Sequence, residues 1–199
     1  MVMSKIEFLY DFGSPNAYLV HKVLPKIAAQ HDVEIDWQPV LLGGIFKATN
    51  NQAPMTAFAD VLGKNEYMQV EFRRFIERYG VPFSWNSHFP VNTLAIMRGA
   101  AFAIGKSWQA HYVGTVFDAM WLKGQDMSDV AIISGVLQAA GLPYSDIISA
   151  VQSPEVKGKL VDTTSSAVGR GVFGAPTMFF KDEMFFGKDS IGDLNWRLG

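Results

Sequence analysis

The stretch "KIEFLYDFGSPNAYLV", residues 5–20, contains the junction between a strand and a helix that decides the fold. In residues 5–10 the apolar or aromatic side chains of Ile6, Phe8 and Tyr10 alternate with Lys5, Glu7 and Leu9. This period of two predicts a strand that is largely buried. From Pro15 onward the apolar residues recur at helical spacing, and proline is tolerated in a first helical turn because its missing N–H is not needed there. Ser14 therefore lies where the strand passes into the helix.

The Ser14 hydroxyl has two possible roles at this junction. As an ordinary N-cap it would stabilise the helix by about 1 kcal/mol. It could instead help to hold an anion, because the N–H groups and the dipole at a helix N-terminus favour negative charge and lower the pKa of a thiol. The chain contains no cysteine, so a thiolate held there would have to belong to a ligand. The residue alone favours the cap.

The strands and helices predicted in the rest of the chain indicate an α/β protein. "DVEIDWQPV", residues 32–40, predicts a second strand and hence a parallel, right-handed β-α-β unit. "LLGGIFKATNNQAPM", residues 41–55, looks irregular. "APTMFF" and "EMFFG" near the end predict a hairpin, followed by a final helix through Leu198. Between these parts helices are expected near 68–79, 94–104, 108–121, 128–137 and 146–151 and from 153 onward, with Ser128 and Ser153 as caps.

Composition narrows the classes of function. Of the 199 residues 49% are hydrophobic, and the formal net charge is −2 without any basic tract, so we expect no nucleic-acid partner and no membrane partner. No apolar run reaches the roughly 20 residues of a membrane span, and the start of the chain does not resemble a signal peptide, which predicts a cytoplasmic protein. The four histidines lack metal-ligand spacing, and we expect His21 and His31 on a polar helix face or in a loop.

A second feature is "GVFGAPTMF", residues 171–179, in which Pro176 opens a strand. A cis proline would turn the preceding N–H and C=O outward, where they could pair with a peptide-like ligand. Only about 5–6% of X–Pro bonds in folded proteins are cis, so the motif alone favours an ordinary proline at a strand start.

Together, these features resemble the thioredoxin fold, in the branch shared by bacterial disulfide oxidoreductases, kappa-class glutathione transferases and 2-hydroxychromene-2-carboxylate isomerases. The oxidoreductases open the helix with Cys-x-x-Cys, whereas residues 14–17 here read Ser-Pro-Asn-Ala, which excludes disulfide exchange. "DFGSPNAYL", "WQPVLLGGIFKATNN", "NTLAIMRGA" and "GVFGAPTMFF…MFFGKDSI" look like the glutathione-using members. The resemblance covers essentially the whole chain.

The resemblance implies a fold, a domain division and an assembly. It implies a thioredoxin-like β-α-β-β-α domain formed by residues 1–42 and 170–199, with an inserted all-helical domain at 43–169. Members of this group are usually homodimers, which we therefore expect here.

The resemblance also implies reduced glutathione as the cofactor and an aromatic carboxylate as the substrate. Ser14 would contact the glutathione sulfur, and Asp189 would pair with the α-ammonium group. Many kappa-class enzymes have Asp-Arg where this chain has Asp189 and Ser190. The resemblance therefore does not identify the residue that binds the glutathione carboxylate. The implied cofactor contacts are Ser14, Val172, Ala175, Pro176, Lys188, Asp189 and Ser190, and the implied substrate contacts are Lys47, Asn51 and Trp85.

Each of these contacts has an ordinary structural alternative. Asp189 could be a carboxylate at a helix N-terminus, Lys47 a solvated lysine and Trp85 a core tryptophan. The activity implied is a glutathione-dependent isomerase that interconverts 2-hydroxychromene-2-carboxylate and trans-o-hydroxybenzylidenepyruvate. A kappa-like glutathione transferase and a non-enzymatic binding module are the two alternatives.

Overall fold

A computed structural model describes residues 4–199, which form a four-stranded mixed sheet covered by helices on both faces. The strand order is β2-β1-β3-β4, with β1 parallel to β2 and antiparallel to β3. Strands β3 and β4 form the predicted hairpin. The parallel β-α-β opening and the α/β class are therefore confirmed. The elements of this layer are β1 (Lys5–Tyr10), α1 (Pro15–Gln30), β2 (Glu34–Pro39), β3 (Thr177–Phe180) and β4 (Glu183–Phe186).

The regular secondary structure between β2 and β3 is entirely helical, as the pattern predicts. No strand occurs from residue 42 to residue 170, all of which the structure describes. None of the helices within residues 4–199 combines the length and the apolar character that a membrane crossing requires. The helices are α2 (Leu42–Thr49), α3 (Pro54–Ala57), α4 (Lys64–Tyr79), α5 (Leu94–Ala103), α6 (Gln109–Trp121), α7 (Val130–Ala139), α8 (Tyr144–Ala150), α9 (Pro154–Gly169) and α10 (Ile191–Leu198), with a 3-10 turn at Lys188–Ser190 before α10.

The expectation of an irregular segment at 41–55 is wrong, because α2 and α3 lie there. The start of α2 depends on acceptors from distant parts of the chain. The Leu41 N–H donates to Thr164 Oγ1 at 3.0 Å, and the Leu42 N–H donates to Asp11 Oδ2 at 2.9 Å. Gly44 lies so close to α9 that an added Cβ would approach Thr164 Cγ2 to 3.2 Å. Glycine weakens the helical pattern in the sequence, but here it permits the close packing of the two helices.

The cap of α7 also differs from the expectation. Asp129, and not Ser128, is the N-cap, since its carboxylate accepts hydrogen bonds from the Ala131 and Ile132 N–H groups. The Ser128 hydroxyl instead donates to the Asp126 carboxylate at 2.6 Å. Serine and aspartate are both good caps, so adjacent candidates cannot be separated by residue type alone.

The sheet buries different residues on its two faces. Ile6, Phe8 and Tyr10 of β1 point into the main core under α1 and the helical block, whereas Leu9 points to the other face. There Leu9 joins a smaller cluster that includes Ile45 of α2. The main core contains side chains from both of the proposed domains, and the domain division stays a prediction.

His21 is buried, so the expectation of a polar helix face is wrong for this residue. Its ring stacks on Phe117 at a centroid distance of 4.9 Å and meets Trp37 edge-on at 5.4 Å. Its Nδ1 has no hydrogen-bond partner within residues 4–199. Burial and, to a smaller extent, the Lys22 ammonium group together lower the pKa of the imidazole from 6.5 to about 3.

We expect His21 to make the fold acid-sensitive. Its folded pKa lies below its unfolded pKa, so below pH 6.5 the unfolded chain takes up a proton that the folded chain refuses. Stability should therefore fall with decreasing pH, by about 1.4 kcal/mol per pH unit from this group. His21→Phe keeps the ring packing and removes the titration. Urea unfolding at pH 7, 6 and 5 measures the free energy of unfolding, which should fall less with decreasing pH in the variant than in the wild type. The same pH dependence in both proteins would show that His21 is not the titrating group.

Candidate functional site

Ser14 is a buried N-cap whose hydroxyl makes two hydrogen bonds at once. Its Oγ accepts from the Ala17 N–H at 3.1 Å, which is the capping interaction at the start of α1. The same hydroxyl donates to the Ala175 carbonyl at 3.0 Å, although the two residues lie 161 positions apart. The structure therefore joins the two features that the sequence marks separately, the strand-to-helix junction and the segment before β3.

The Ala175–Pro176 peptide bond is cis, and three chain segments meet around it. The Gly187 N–H donates to the Pro176 carbonyl at 2.9 Å, which brings the 3-10 turn beside the proline. In the loop before this peptide bond, the Phe173 carbonyl accepts from the Asn51 amide at 2.8 Å. Asn51 is thus brought to the loop between α9 and β3, where it holds protein backbone.

The 3-10 turn presents one buried and one exposed charge. The Lys188 ammonium group is buried, forms a 2.5 Å ion pair with Asp189 and lies 5.7 Å from the Phe75 ring centroid. The Asp189 side chain is 73% exposed, so one face of its carboxylate is open to a ligand. The Ser190 hydroxyl donates to the Gly187 carbonyl at 2.9 Å and stabilises the turn. Of these side chains, Asp189 is the most accessible.

Val172 contributes packing through its side chain. It is fully buried in the smaller core cluster, and its N–H donates to the Ala167 carbonyl at 3.1 Å. The structure therefore presents neither the side chain nor the N–H of Val172 to a tripeptide.

Lys47 lies on an ordered helix and not in an irregular loop. It is exposed in the last turn of α2, where a cation also interacts favourably with the helix dipole. It forms no ion pair within the part of the chain that the structure describes.

Trp85 is a half-exposed member of an aromatic cluster. Its ring stacks on Phe72 at 5.2 Å and meets Phe83 and Trp121 edge-on, yet 47% of the residue stays exposed. The indole N–H of Trp121 donates to the Phe12 carbonyl at 2.7 Å, so the cluster is tied to the loop that carries Ser14. Trp85 is therefore not a buried core tryptophan.

Asn86, the next residue, has a structural role. It is buried, and its amide donates to the Met120 and Gln125 carbonyls at 3.0 and 2.9 Å. It therefore fixes the segment that presents Trp85.

Asp11 is a residue of this site that our interpretation of the sequence missed. Its Oδ1 accepts from the Gly13 N–H and from the Thr93 hydroxyl, and its Oδ2 accepts from the Leu42 N–H, each at 2.9 Å. The Ser14 N–H in turn donates to the Asp11 carbonyl at 3.0 Å. Burial raises the pKa of the Asp11 carboxyl above its ordinary value, and the three hydrogen bonds offset part of this increase. An aspartate at a strand end, two residues before a glycine, is typical of a turn in which the side chain bonds to the backbone. This pattern in the sequence could have identified Asp11.

A family model described as a DSBA-like thioredoxin domain matches residues 5–199. The chain belongs to the DSBA-like thioredoxin domain family. This fits the mixed sheet, the buried junction at Ser14 and the proline loop that it contacts. The thioredoxin-like fold with helices inserted between β2 and β3 is thereby confirmed.

Within this family the chain is similar to isomerases and to kappa-class transferases. A 2-hydroxychromene-2-carboxylate isomerase of Pseudomonas putida is 28% identical over 194 residues, which cover 98% of this chain and 94% of that protein. Glutathione S-transferase kappa 1 of Rattus norvegicus is 27% identical over 208 residues, covering 98% of this chain and 90% of the relative. A solved 2-hydroxychromene-2-carboxylate isomerase structure has a TM-score of 0.86 at 28% identity and covers 98% of this chain and 94% of that one. These relatives confirm the resemblance drawn from the sequence.

Asp11→Ala should destabilise the protein far more than removal of an ordinary cap. The substitution leaves three donors without their acceptor, so we expect a loss of about 3 kcal/mol or more in the free energy of unfolding. Asp129→Ala is the matched control, because that exposed carboxylate also accepts backbone N–H groups but holds only its own helix, and its loss should cost about 1 kcal/mol. Urea unfolding measures both variants. Equal losses would show that Asp11 is only a local turn residue.

Proposed function

We propose that this protein is a glutathione-dependent isomerase that interconverts 2-hydroxychromene-2-carboxylate and trans-o-hydroxybenzylidenepyruvate. The observation that carries the proposal is the buried Ser14 hydroxyl, which lies at a helix N-terminus against the Ala175 carbonyl in a chain without cysteine. The similarity to a kappa-class glutathione transferase supports a thiol ligand at that point, and the similarity to an isomerase supports the reaction.

The residues around Ser14 fit a thiolate ligand. The Ser14 hydroxyl proton can turn from the Ala175 carbonyl to a sulfur, while the oxygen continues to cap α1. The α1 N-terminus supplies positive potential, and no acidic residue lies in its first turn.

The chain's own residues would bind and orient both ligands. The Ala175 backbone and the Asp189 carboxylate would hold the tripeptide, with Lys188 fixing the position of Asp189. Bound glutathione would supply a thiolate that adds to the conjugated substrate and later leaves, which lets a former double bond rotate. Lys47 would bind the substrate carboxylate and stabilise negative charge as it develops, and Trp85 would offer a ring face to the aromatic part.

A kappa-like glutathione transferase is the second candidate, favoured by the similarity to the rat enzyme. Both activities use the same thiolate, but only the transferase consumes it. Glutathione recovered unchanged after many turnovers supports the isomerase, whereas stoichiometric loss of free thiol supports the transferase.

We also propose that the protein is a cytoplasmic homodimer. Every residue from 51 to 63 is exposed, and this segment carries Met55, Phe58, Val61 and Leu62. Apolar side chains concentrated in one exposed segment are typical of a surface that another chain covers. Light scattering on the purified protein measures the mass, and a single chain per particle would contradict the dimer.

Reduced glutathione should bind and raise the melting temperature, because a ligand selective for the folded state stabilises it by mass action. Oxidised glutathione should do so less, being too large for one sulfur site. Ser14→Ala should lower turnover more than tenfold, a loss of more than about 1.4 kcal/mol in transition-state stabilisation. The measurements are a thermal shift at millimolar thiol and steady-state kinetics. No shift at all would favour a binding module unrelated to glutathione.

Ser153→Ala is the matched control for the lost cap. Ser153 caps α9 by accepting from the Val156 N–H at 3.2 Å and is also followed by proline, but it lies outside the site. Both variants should lose about 1 kcal/mol of stability as caps, and only Ser14→Ala should lose turnover. Equal turnover in the two variants would reduce Ser14 to a capping residue.

Lys47→Ala should lower kcat as well as raise KM. Negative charge moves toward the carboxylate end of the substrate as sulfur adds, so a cation there stabilises the transition state more than the ground state. We expect kcat/KM to fall about tenfold and Lys47→Arg to restore it in part, because a planar fork does not replace a compact ammonium group. Lys26→Ala, at an exposed lysine of α1, is the control. Unchanged kcat and KM in Lys47→Ala would make this lysine an ordinary surface residue.

A further inference from the structure

Helices α2, α5 and α9 enclose a groove of about 330 Å³ that contains none of the residues placed around Ser14. Each helix contributes residues one turn apart, which is the spacing of a continuous stripe on a helix face. The volume is at the lower end of the range for small-molecule sites. The lining residues are Leu41 just before α2, Gly44 and Ala48 of α2, Leu94 and Arg98 of α5, and six residues of α9 that include Lys157 and Thr164.

The groove has a buried floor and an exposed apolar rim. Leu160 and Thr164 are buried at its floor, whereas Val161 is 62% exposed at its edge. The floor is accessible at this depth partly because Gly44 has no side chain. The Thr164 hydroxyl is already engaged, since it donates to the Leu160 carbonyl and accepts from the Leu41 N–H. The walls therefore offer mainly apolar surface.

The charges at this groove are of one sign. Arg98 and Lys157 are both half-buried and come from two different helices. Within the described residues neither side chain forms an ion pair, and no carboxylate lines the groove. A guanidinium group matches the geometry of a carboxylate, and a neighbouring ammonium group adds a second donor. A ligand with an anionic group and an apolar body could pair with both cations and pack against the apolar walls.

We propose that this groove is a binding site for a small aromatic or aliphatic monocarboxylate, separate from the thiolate site at Ser14. Arg98 and Lys157 bind the carboxylate, and Leu94, Val161 and Val168 cover the apolar body. The proposal does not depend on the isomerase activity, because it rests on the lining of the groove alone.

The probe is 1-naphthoate, titrated by calorimetry at low ionic strength against the wild type, with 1-naphthamide as its uncharged counterpart. We expect binding of the acid and much weaker binding of the amide. Arg98→Gln and Lys157→Gln should each weaken naphthoate binding about threefold, and the double variant about tenfold. Lys159→Gln is the matched control, since this lysine is on the same helix but outside the groove, and it should bind as the wild type does.

Three results would overturn the proposal. Equal affinity for the acid and the amide would remove the role of the two cations. Binding that is lost in Lys47→Ala but kept in the Arg98 and Lys157 variants would place the ligand at the Ser14 site. A change of mass in Val161→Asp by light scattering would identify the groove as a contact between copies of the chain.

Discussion

The buried carboxylate of Asp11 is the constraint on which the site depends. Through its two oxygens it holds the turn at Gly13, the start of α2 at Leu42 and the start of α5 at Thr93. A carboxylate removed from water is costly unless its lone pairs are occupied, so these donors and the carboxylate stabilise one another only when all are in place. The position of Ser14, whose N–H binds the Asp11 backbone, follows from this assembly.

The Asp11 carboxylate and a thiolate bound at Ser14, as we propose, would place two negative charges in the same site. Asp11 lies beneath the junction, and its charge is spread over two backbone N–H groups and a hydroxyl. An anion at the α1 N-terminus would meet a different donor, the Ser14 hydroxyl, which here donates to the Ala175 carbonyl. Hydrogen bonds to the charged form of Asp11 offset part of its negative potential, so an anion at the α1 N-terminus would be repelled less than by a carboxylate without partners.

The sequence predicts those features whose causes are local. The β1–α1 junction, the cap at Ser153 and the β3–β4 hairpin follow from residues within one turn or one strand of each other. The start of α2 does not, since its donors meet acceptors that are 31 and 123 positions away. The contact between Ser14 and Ala175 spans 161 positions and was not predicted, because the resemblance implied only that each residue contacts glutathione. The burial of His21 likewise depends on aromatic rings that only the tertiary fold assembles.

A serine at the junction does what a cysteine could not do equally well. A hydroxyl can accept from the Ala17 N–H and donate to the Ala175 carbonyl at the same time, whereas a thiol is weak in both roles. The accepted bond fixes the oxygen, and the donated bond is the one that a ligand sulfur can take over. The helix therefore keeps its cap whether or not a ligand is bound, and exchange of the donated bond requires only rotation of a hydroxyl group. If a thiolate binds as we propose, the site is organised before the ligand arrives, which is the condition under which fixed dipoles stabilise charge without a cost of rearrangement.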